Sequence, residues 1–446
     1  MPKFPILTIS ATFVAVGYLA VAPTHGIASR IVAGAVANPP VLRSEAAHFG
    51  TRHYFGAKHY GSSANETFAM MMTDQQATLS SGSAVNLPAG TLWRVLGQQG
   101  DTVTLLTASG AVNAPVADLK EMTVPHSSSP VTVNPVHGKV VLAFAVADSA
   151  RYLRNLAHDT LSIFSPQAFF ITDAAGNITG RVSAAVVQAA HQHGVSVWPM
   201  VEAGFDKTRT TALLSSPAAQ WRLLAAVIAR VEAESLDGVN FDFEDMIPAD
   251  APRLTGFIQA AATILHAMGK GVSVDVTPPS SDPNWGLVYQ RAALASAVNY
   301  EIVMTYDEHY SGDPYPGSVA SLPWMKQGVA NTLALGVPKT KLLVGIPFYS
   351  RDWIRANGQL SSQYIALTQE AADERMPGAH TIWNAHDGQD IVTFTEGGAT
   401  HTIWLENTAS LAERAQFVQA DGLGGVAIWQ IDMGNQADIA ALTSQF

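Results

Sequence analysis

Between Lys139 and the carboxyl terminus the chain repeats one rhythm eight times: a short apolar run, then a longer stretch of helical character. The runs are VVLAFAV (140–146), LSIFSPQAFFI (161–171), VSVWPMV (195–201), LDGVNFDFE (236–244), GVSVDVT (271–277), YEIVMTY (300–306), KLLVGIPFY (341–349) and GGVAIWQ (424–430). SPAAQWRLLAAVIARVEAE (216–234) and APRLTGFIQAAATILHAMG (251–269) are two of the helical candidates between them. Strands alternating with helices imply a parallel sheet, and eight is the number that closes a (β/α)8 TIM barrel. An open doubly wound sheet is the alternative, but no GxGxxG follows the first strand. About 75 residues separate the last two strand candidates, more than an ordinary connection needs, so a small α+β insertion is expected over about 351–410.

Before Lys139 the pattern differs. Residues 29–125 read as a small β-rich domain. Its second half, LPAGTLWRVLGQQGDTVTLLTASGAVNAPVADLKEM (87–122), alternates polar and apolar residues around a GQQGD turn, and it loosely resembles SH3-like barrels. HSSSPVTVNPVHG (126–138) reads as an extended linker. Residues 1–28 carry Lys3 and then an apolar run to about Val21, the pattern of a secretory signal or an uncleaved anchor, which predicts a secreted or cell-wall associated protein.

The fourth strand raises the chemical question, because LDGVNFDFEDM threads Asp237, Asp242, Glu244 and Asp245 through residues suited to a core. Alternate residues of a strand share a face. Asp237, Val239, Phe241 and Phe243 therefore point one way, and Gly238, Asn240, Asp242 and Glu244 the other. The polar trio ends at the carboxyl end of the strand, where barrels of this kind build active sites. Asp242 and Glu244, two residues apart, are close enough to share a proton. A like charge nearby raises the pKa of one member, which would let Glu244 stay protonated near neutral pH and act as a general acid. Two solvated acids at a strand end are the plainer alternative.

DGVNFDFE resembles the strand-four signature DGxxxDxE of family 18 glycoside hydrolases, the chitinase-like fold. MTYDE (304–308) is similar to that family's strand-six motif, LLVGIPFYSRDW (342–353) to its strand-seven motif, and GLGGVAIWQ (422–430) to its final strand. SVDVTPPSSDPNW and HYSGDPYPGSVASLPW bring the likeness nearest to bacterial spore-cortex and cell-wall N-acetylglucosaminidases. The resemblance covers about 139–446 and implies cleavage of β-1,4 bonds beside an N-acetylated sugar, with retention and with the substrate's own acetamido oxygen as nucleophile. It assigns Glu244 as acid and base, Asp242 as the group that holds the acetamido N–H, and Tyr306 as donor to the acetamido oxygen. It places Asn240, Met304, Asp307 and Trp429 around the sugar, with Trp429 as a stacking floor. Asn240 departs from the commoner aspartate, and with it any proton exchange between Asp242 and a deeper carboxyl is expected to be lost. Asp237 is expected to be structural and Asp245 a loop acid.

Other classes fit less well. A net charge of −11 leaves no basic cluster for nucleic acid, and the absence of cysteine excludes disulfides and thiolate metal sites. HQH (191–193), His53, His59 and DEH (307–309) lack convincing metal-ligand spacing, so no metal or other cofactor is expected. That also weighs against a metal-dependent deacetylase. A lectin-like protein that binds sugar without cleaving it would typically lose the acid, which is retained here as Glu244. The expected partner is an N-acetylglucosamine-containing polysaccharide, peptidoglycan before chitin, met by a monomer. The amino-terminal domain could add cell-wall contact through His53, Tyr54, Phe55 and Tyr60, or those side chains could fill a small core.

Overall fold

The structure is a computed structural model that describes residues 64–146, Leu153 and 160–446. The amino-terminal segment 1–28 and His53, Tyr54, Phe55, His59 and Tyr60 lie outside the described residues.

Eight parallel strands form the centre: β1 (Val140–Ala145), β2 (Ile163–Ile171), β3 (Met200–Glu202), β4 (Gly238–Asp242), β5 (Gly271–Val276), β6 (Tyr300–Val303), β7 (Leu342–Pro347) and β8 (Gly425–Trp429). Each pairs with the next, and β8 pairs with β1, so the sheet closes into a barrel. The two helices singled out in the sequence fold as Pro217–Ala233 and Ala251–Ala267. The first starts where Ser216 caps Ala219 N–H with a proline in the opening turn, and its apolar stripe of Leu223, Leu224, Val227, Ile228 and Val231 is buried. The second presents Phe257 edge-on to Phe241 of β4, with ring centroids 5.7 Å apart. The odd-numbered residues of β4 therefore face the helices and the even-numbered ones face the barrel interior.

The lower interior is apolar. Leu142, Ile163, Met200, Ile302, Leu343 and Ala427 surround Trp198, with Val131 and Val133 of the preceding segment packed beneath. Room for the Trp198 ring comes from two glycines. A Cβ at Gly271 would lie 1.9 Å from Trp198 Cζ2, and one at Gly238 2.8 Å from Cδ2. No rotamer change at the glycine could relieve such contacts.

Two smaller β structures flank the barrel. Residues 65–125 form an antiparallel sheet of Asn65–Met71, Leu92–Gln99, Thr102–Thr107, Gly110–Pro115 and Leu119–Pro125, with a hairpin of Gln75–Thr78 and Ala84–Leu87 beside it. One face buries Ala69, Met71, Val103 and Leu105 in a local core. Phe68, Met70 and Val124 instead join the core between the barrel and its helices. Between β7 and β8, Tyr349–Ala356, Gln359–Ala366, His380–Asn384, Gln389–Glu396 and Ala399–Trp404 form a second five-stranded antiparallel sheet, with a helix at Leu367–Asp373.

Candidate active site

Register across the barrel gathers the polar groups. Glu202 of β3 is level with Asp242 of β4. Phe241 is level with Val274 of β5, so Asp242 and Asp275 follow as the next residues on their strands. Glu202, Asp242 and Asp275 thus form a row across three neighbouring strands, about 4.8 Å apart at the backbone. The regular ladder of β4 stops at Asp242, so Glu244 stands just beyond the strand, half-buried above that row.

Such a row cannot be fully ionised. Asp242 is pushed up to about 7, first by burial and then by Glu202, while a hydrogen bond with Glu244 works in the opposite direction. Glu244 is held well above the usual carboxylate range by burial and then by Asp242, Asp275, Asp307 and Glu202. Within the Asp242–Glu244 hydrogen bond, Glu244 therefore carries the proton and Asp242 accepts. Asp275 is also held well above its ordinary range, by burial and by Asp242. Glu202 is raised by burial, offset by its bond from Gln167 Nε2 and by Arg209.

The loop after β6 supplies the remaining groups. Met304 is buried, and Tyr306 follows it, half-buried. Its phenol is pushed well above the ordinary tyrosine range by burial and then by Asp275, Glu244, Asp242 and Asp307, so it remains a hydrogen-bond donor. Gly345 of β7 makes way for it, since a Cβ there would lie 2.9 Å from Tyr306 Cε1. Asp307 has a positive φ of 62° and accepts a 2.7 Å bond from Tyr349 Oη. Trp429 ends β8, half-buried, with its ring 5.6 Å from Phe144. Trp429 and Gln430 bond to the Tyr364 oxygen of the inserted sheet, and the Tyr364 ring lies 4.3 Å from that of Tyr349.

Asn240, Asp242, Glu244, Met304, Tyr306, Asp307 and Trp429 are thus all carried by the ends of β4, β6 and β8 at one mouth of the barrel. Asn240 lies deepest and is fully buried; its Nδ2 donates to Ser273 Oγ at 3.0 Å and to Asp275 Oδ1 at 2.9 Å. A second carboxyl, Asp275, therefore stands on the strand beside Asp242 and level with it. It arrives from β5 rather than β4. Asp237 faces outward and fixes the neighbouring strand, accepting from Val197 N at 2.8 Å and pairing with His191 Nε2 at 2.7 Å. Asp245 pairs with Lys207 at 3.0 Å. His309 of DEH pairs with Asp313 at 3.0 Å. Glu202, Gln167, Asp275, Tyr349 and Tyr364 were not singled out in the sequence. Alternation along β3 and β5 would have turned Glu202 and Asp275 inward, and only register puts them beside Asp242.

A closed parallel barrel whose carboxyl end gathers several carboxyls around a half-buried phenol is the arrangement in which barrel enzymes place their active sites. The chain belongs to a known family of that architecture: residues 137–434 match the model described as "Glycosyl hydrolases family 18". Among its relatives, the "Putative sporulation-specific glycosylase YdhD" of Bacillus subtilis is 27% identical over 268 residues, which span 58% of this chain and 63% of that protein. The "Cortical fragment-lytic enzyme" of the same organism is 22% identical, over 52% of this chain and 55% of its own length. The chain thus spans less than two thirds of either relative. Among solved structures, the chitinase from Chromobacterium violaceum superposes with a TM-score of 0.62 at 26% identity, covering 69% of this chain and 98% of that one.

Proposed function

We propose that the protein is a retaining glycosidase that cleaves β-1,4 bonds next to N-acetylglucosamine, with the substrate's acetamido oxygen as nucleophile. The observation that carries this reading is the placement of Glu244 just beyond β4, above the level row of Glu202, Asp242 and Asp275, where burial and the neighbouring carboxyls favour its protonated form. A carboxylic acid neutral at working pH is what protonation of a glycosidic oxygen requires.

In this reading Glu244 gives its proton to the leaving oxygen as the C1–O bond breaks, and the acetamido oxygen closes on C1. Asp242 is ionised at that moment; it holds the acetamido N–H and balances the positive charge of the ring so formed. The Tyr306 hydroxyl donates to the acetamido oxygen and aims it at C1. The Glu244 carboxylate then takes a proton from water, the resulting hydroxide attacks C1, and the acetamido group is restored. Asn240, Met304, Asp307 and Trp429 shape the pocket, with Trp429 beneath the sugar.

Bacterial cell-wall peptidoglycan is the first choice of polymer, supported by the names of the sporulation-specific and cortical relatives. Chitin is the second, supported by the structural neighbour. Export through the amino-terminal apolar segment and action as a monomer belong to the same proposal. The test is to incubate the wild type and Glu244→Gln with purified peptidoglycan and with chitin oligomers and to identify the new reducing ends. The wild type should release N-acetylglucosamine ends in the β configuration, and the variant should be about 10²- to 10⁴-fold slower. A wild type that cleaves neither polymer removes the enzyme reading, and undiminished activity in the variant removes the role of Glu244.

A further inference from the structure

Position 240 holds an amide, and the amide is fully engaged on one side only. Its two N–H bonds go to Ser273 Oγ and Asp275 Oδ1, at 3.0 and 2.9 Å. Its own Oδ1 is buried without a protein partner, and so is Asp242 Oδ1. Asp275 is the more enclosed of the two aspartates, 2% exposed against 9% for Asp242. The titratable groups facing Asp275 are Asp242 from β4, Glu244 just beyond it, Tyr289 from the segment after β5, and Tyr306 from the loop after β6. Glu202 faces Asp242 from the other side.

These contacts are unequal. Asp242 opens toward the mouth and receives the Glu244 hydrogen bond, which favours its charged form. Asp275 receives one amide N–H on Oδ1, which leaves Oδ2 to hold a proton. Two carboxyls on adjacent strands in a buried layer resist carrying two charges, so the one with less support for its charge keeps the proton. A protonated Asp275 would also place a donor on the strand beside the unpartnered Asp242 oxygen.

We propose that Asp275 is a positioning residue for the reaction: it keeps its proton while Asp242 stands ionised beside it, supplying from β5 the second buried carboxyl that the family pattern places at position 240 of β4. The inference rests on the proposed glycosidase reading. The Asp242–Asp275 couple carries one proton and one negative charge throughout, so Asp242 can face the cationic ring without a proton leaving to solvent. Asn240 holds Asp275 in place and takes no proton itself.

The experiment uses the full chain with ¹³C-labelled aspartate and has two readouts. By NMR, the Asp275 carboxyl of the wild type should titrate far above the ordinary range, and in Asp242→Asn it should titrate lower by about one pH unit or more, because a like charge has been removed. By kinetics on soluble N-acetylglucosamine oligomers, Asp275→Ala should lower kcat by about 10²-fold with KM little changed, and move the acid limb of the pH profile upward. Asp275→Asn, which retains an N–H donor, should lose less. Asn240→Asp combined with Asp275→Ala, which moves the carboxyl back to β4, should regain part of the loss. An Asp275 resonance unaffected by Asp242→Asn overturns the proposal, as does an Asp275→Ala enzyme with the wild-type acid limb and kcat. Should Asp275→Ala fail to fold, the NMR comparison of wild type and Asp242→Asn decides alone. Should the wild type cleave nothing, the glycosidase reading falls, while the titration still reports on the couple.

Discussion

Replacing Asp242 with asparagine should stabilise the protein above neutral pH while abolishing cleavage. The carboxyl of Asp242 is pushed from its ordinary 3.8 up to about 7, chiefly by burial. A folded state that binds a proton more tightly than the unfolded chain has its full stability below the unfolded pKa, near 3.8. That contribution is lost progressively as pH rises, and is gone once pH passes the folded value near 7. A difference of about 3 units at 1.36 kcal/mol each gives about 4 kcal/mol of destabilisation at pH 8. Asparagine has nearly the same shape and no charge to bury, so it escapes this penalty. The assay is reversible chemical denaturation of the wild type and Asp242→Asn at pH 4 and pH 8. The two proteins should differ little at pH 4, and the variant should be the more stable by about 2–4 kcal/mol at pH 8. Equal gaps between the two proteins at both pH values would refute the reasoning, because no proton-linked penalty would then attach to Asp242.

Two further expectations follow from the geometry. Tyr306→Phe removes the hydroxyl assigned, in the proposed mechanism, to the acetamido oxygen, so steady-state kinetics should show kcat falling by about 10²-fold with KM changing far less. Gly271→Ala places a methyl 1.9 Å from the Trp198 ring; denaturation should show a loss of about 1–3 kcal/mol or more, and Trp198→Phe in the same chain should recover part of it.

The barrel was legible because its signals are local and repeated. Eight apolar runs and the helices after them, such as 217–233 and 251–267, follow from periodicity alone. Along β4 the same rule separated Asp242 from Phe241 and Phe243, and the structure turns those phenylalanines toward Phe257. What remained hidden depends on register between segments far apart in the chain. Glu202 and Asp275 become neighbours of Asp242 only when β3, β4 and β5 align, and nothing within SVDVT states that alignment. The docking face of the amino-terminal sheet was hidden for the same reason. Alternation gives Phe68 and Met70 one face, but it does not say that the face meets the barrel's helices rather than water. Tyr364 reaches Trp429 from an insertion whose orientation no local pattern encodes.

That dependence on register gives the apolar floor of the barrel a part in the chemistry. The coupling of Asp242 to Glu202 and Asp275 depends on their standing level, since a slip of one residue would turn a carboxyl out toward the helices. Trp198 is packed between Gly238 of β4 and Gly271 of β5, which are themselves level. A ring that fits only against two adjacent glycines fixes β4 and β5 relative to each other four residues below Asp242 and Asp275. Floor substitutions such as Gly271→Ala should therefore disturb the pH profile of cleavage as well as stability, although they touch no group that meets the substrate. A variant that lost stability and kept its acid limb would separate the floor from the row of carboxyls above it.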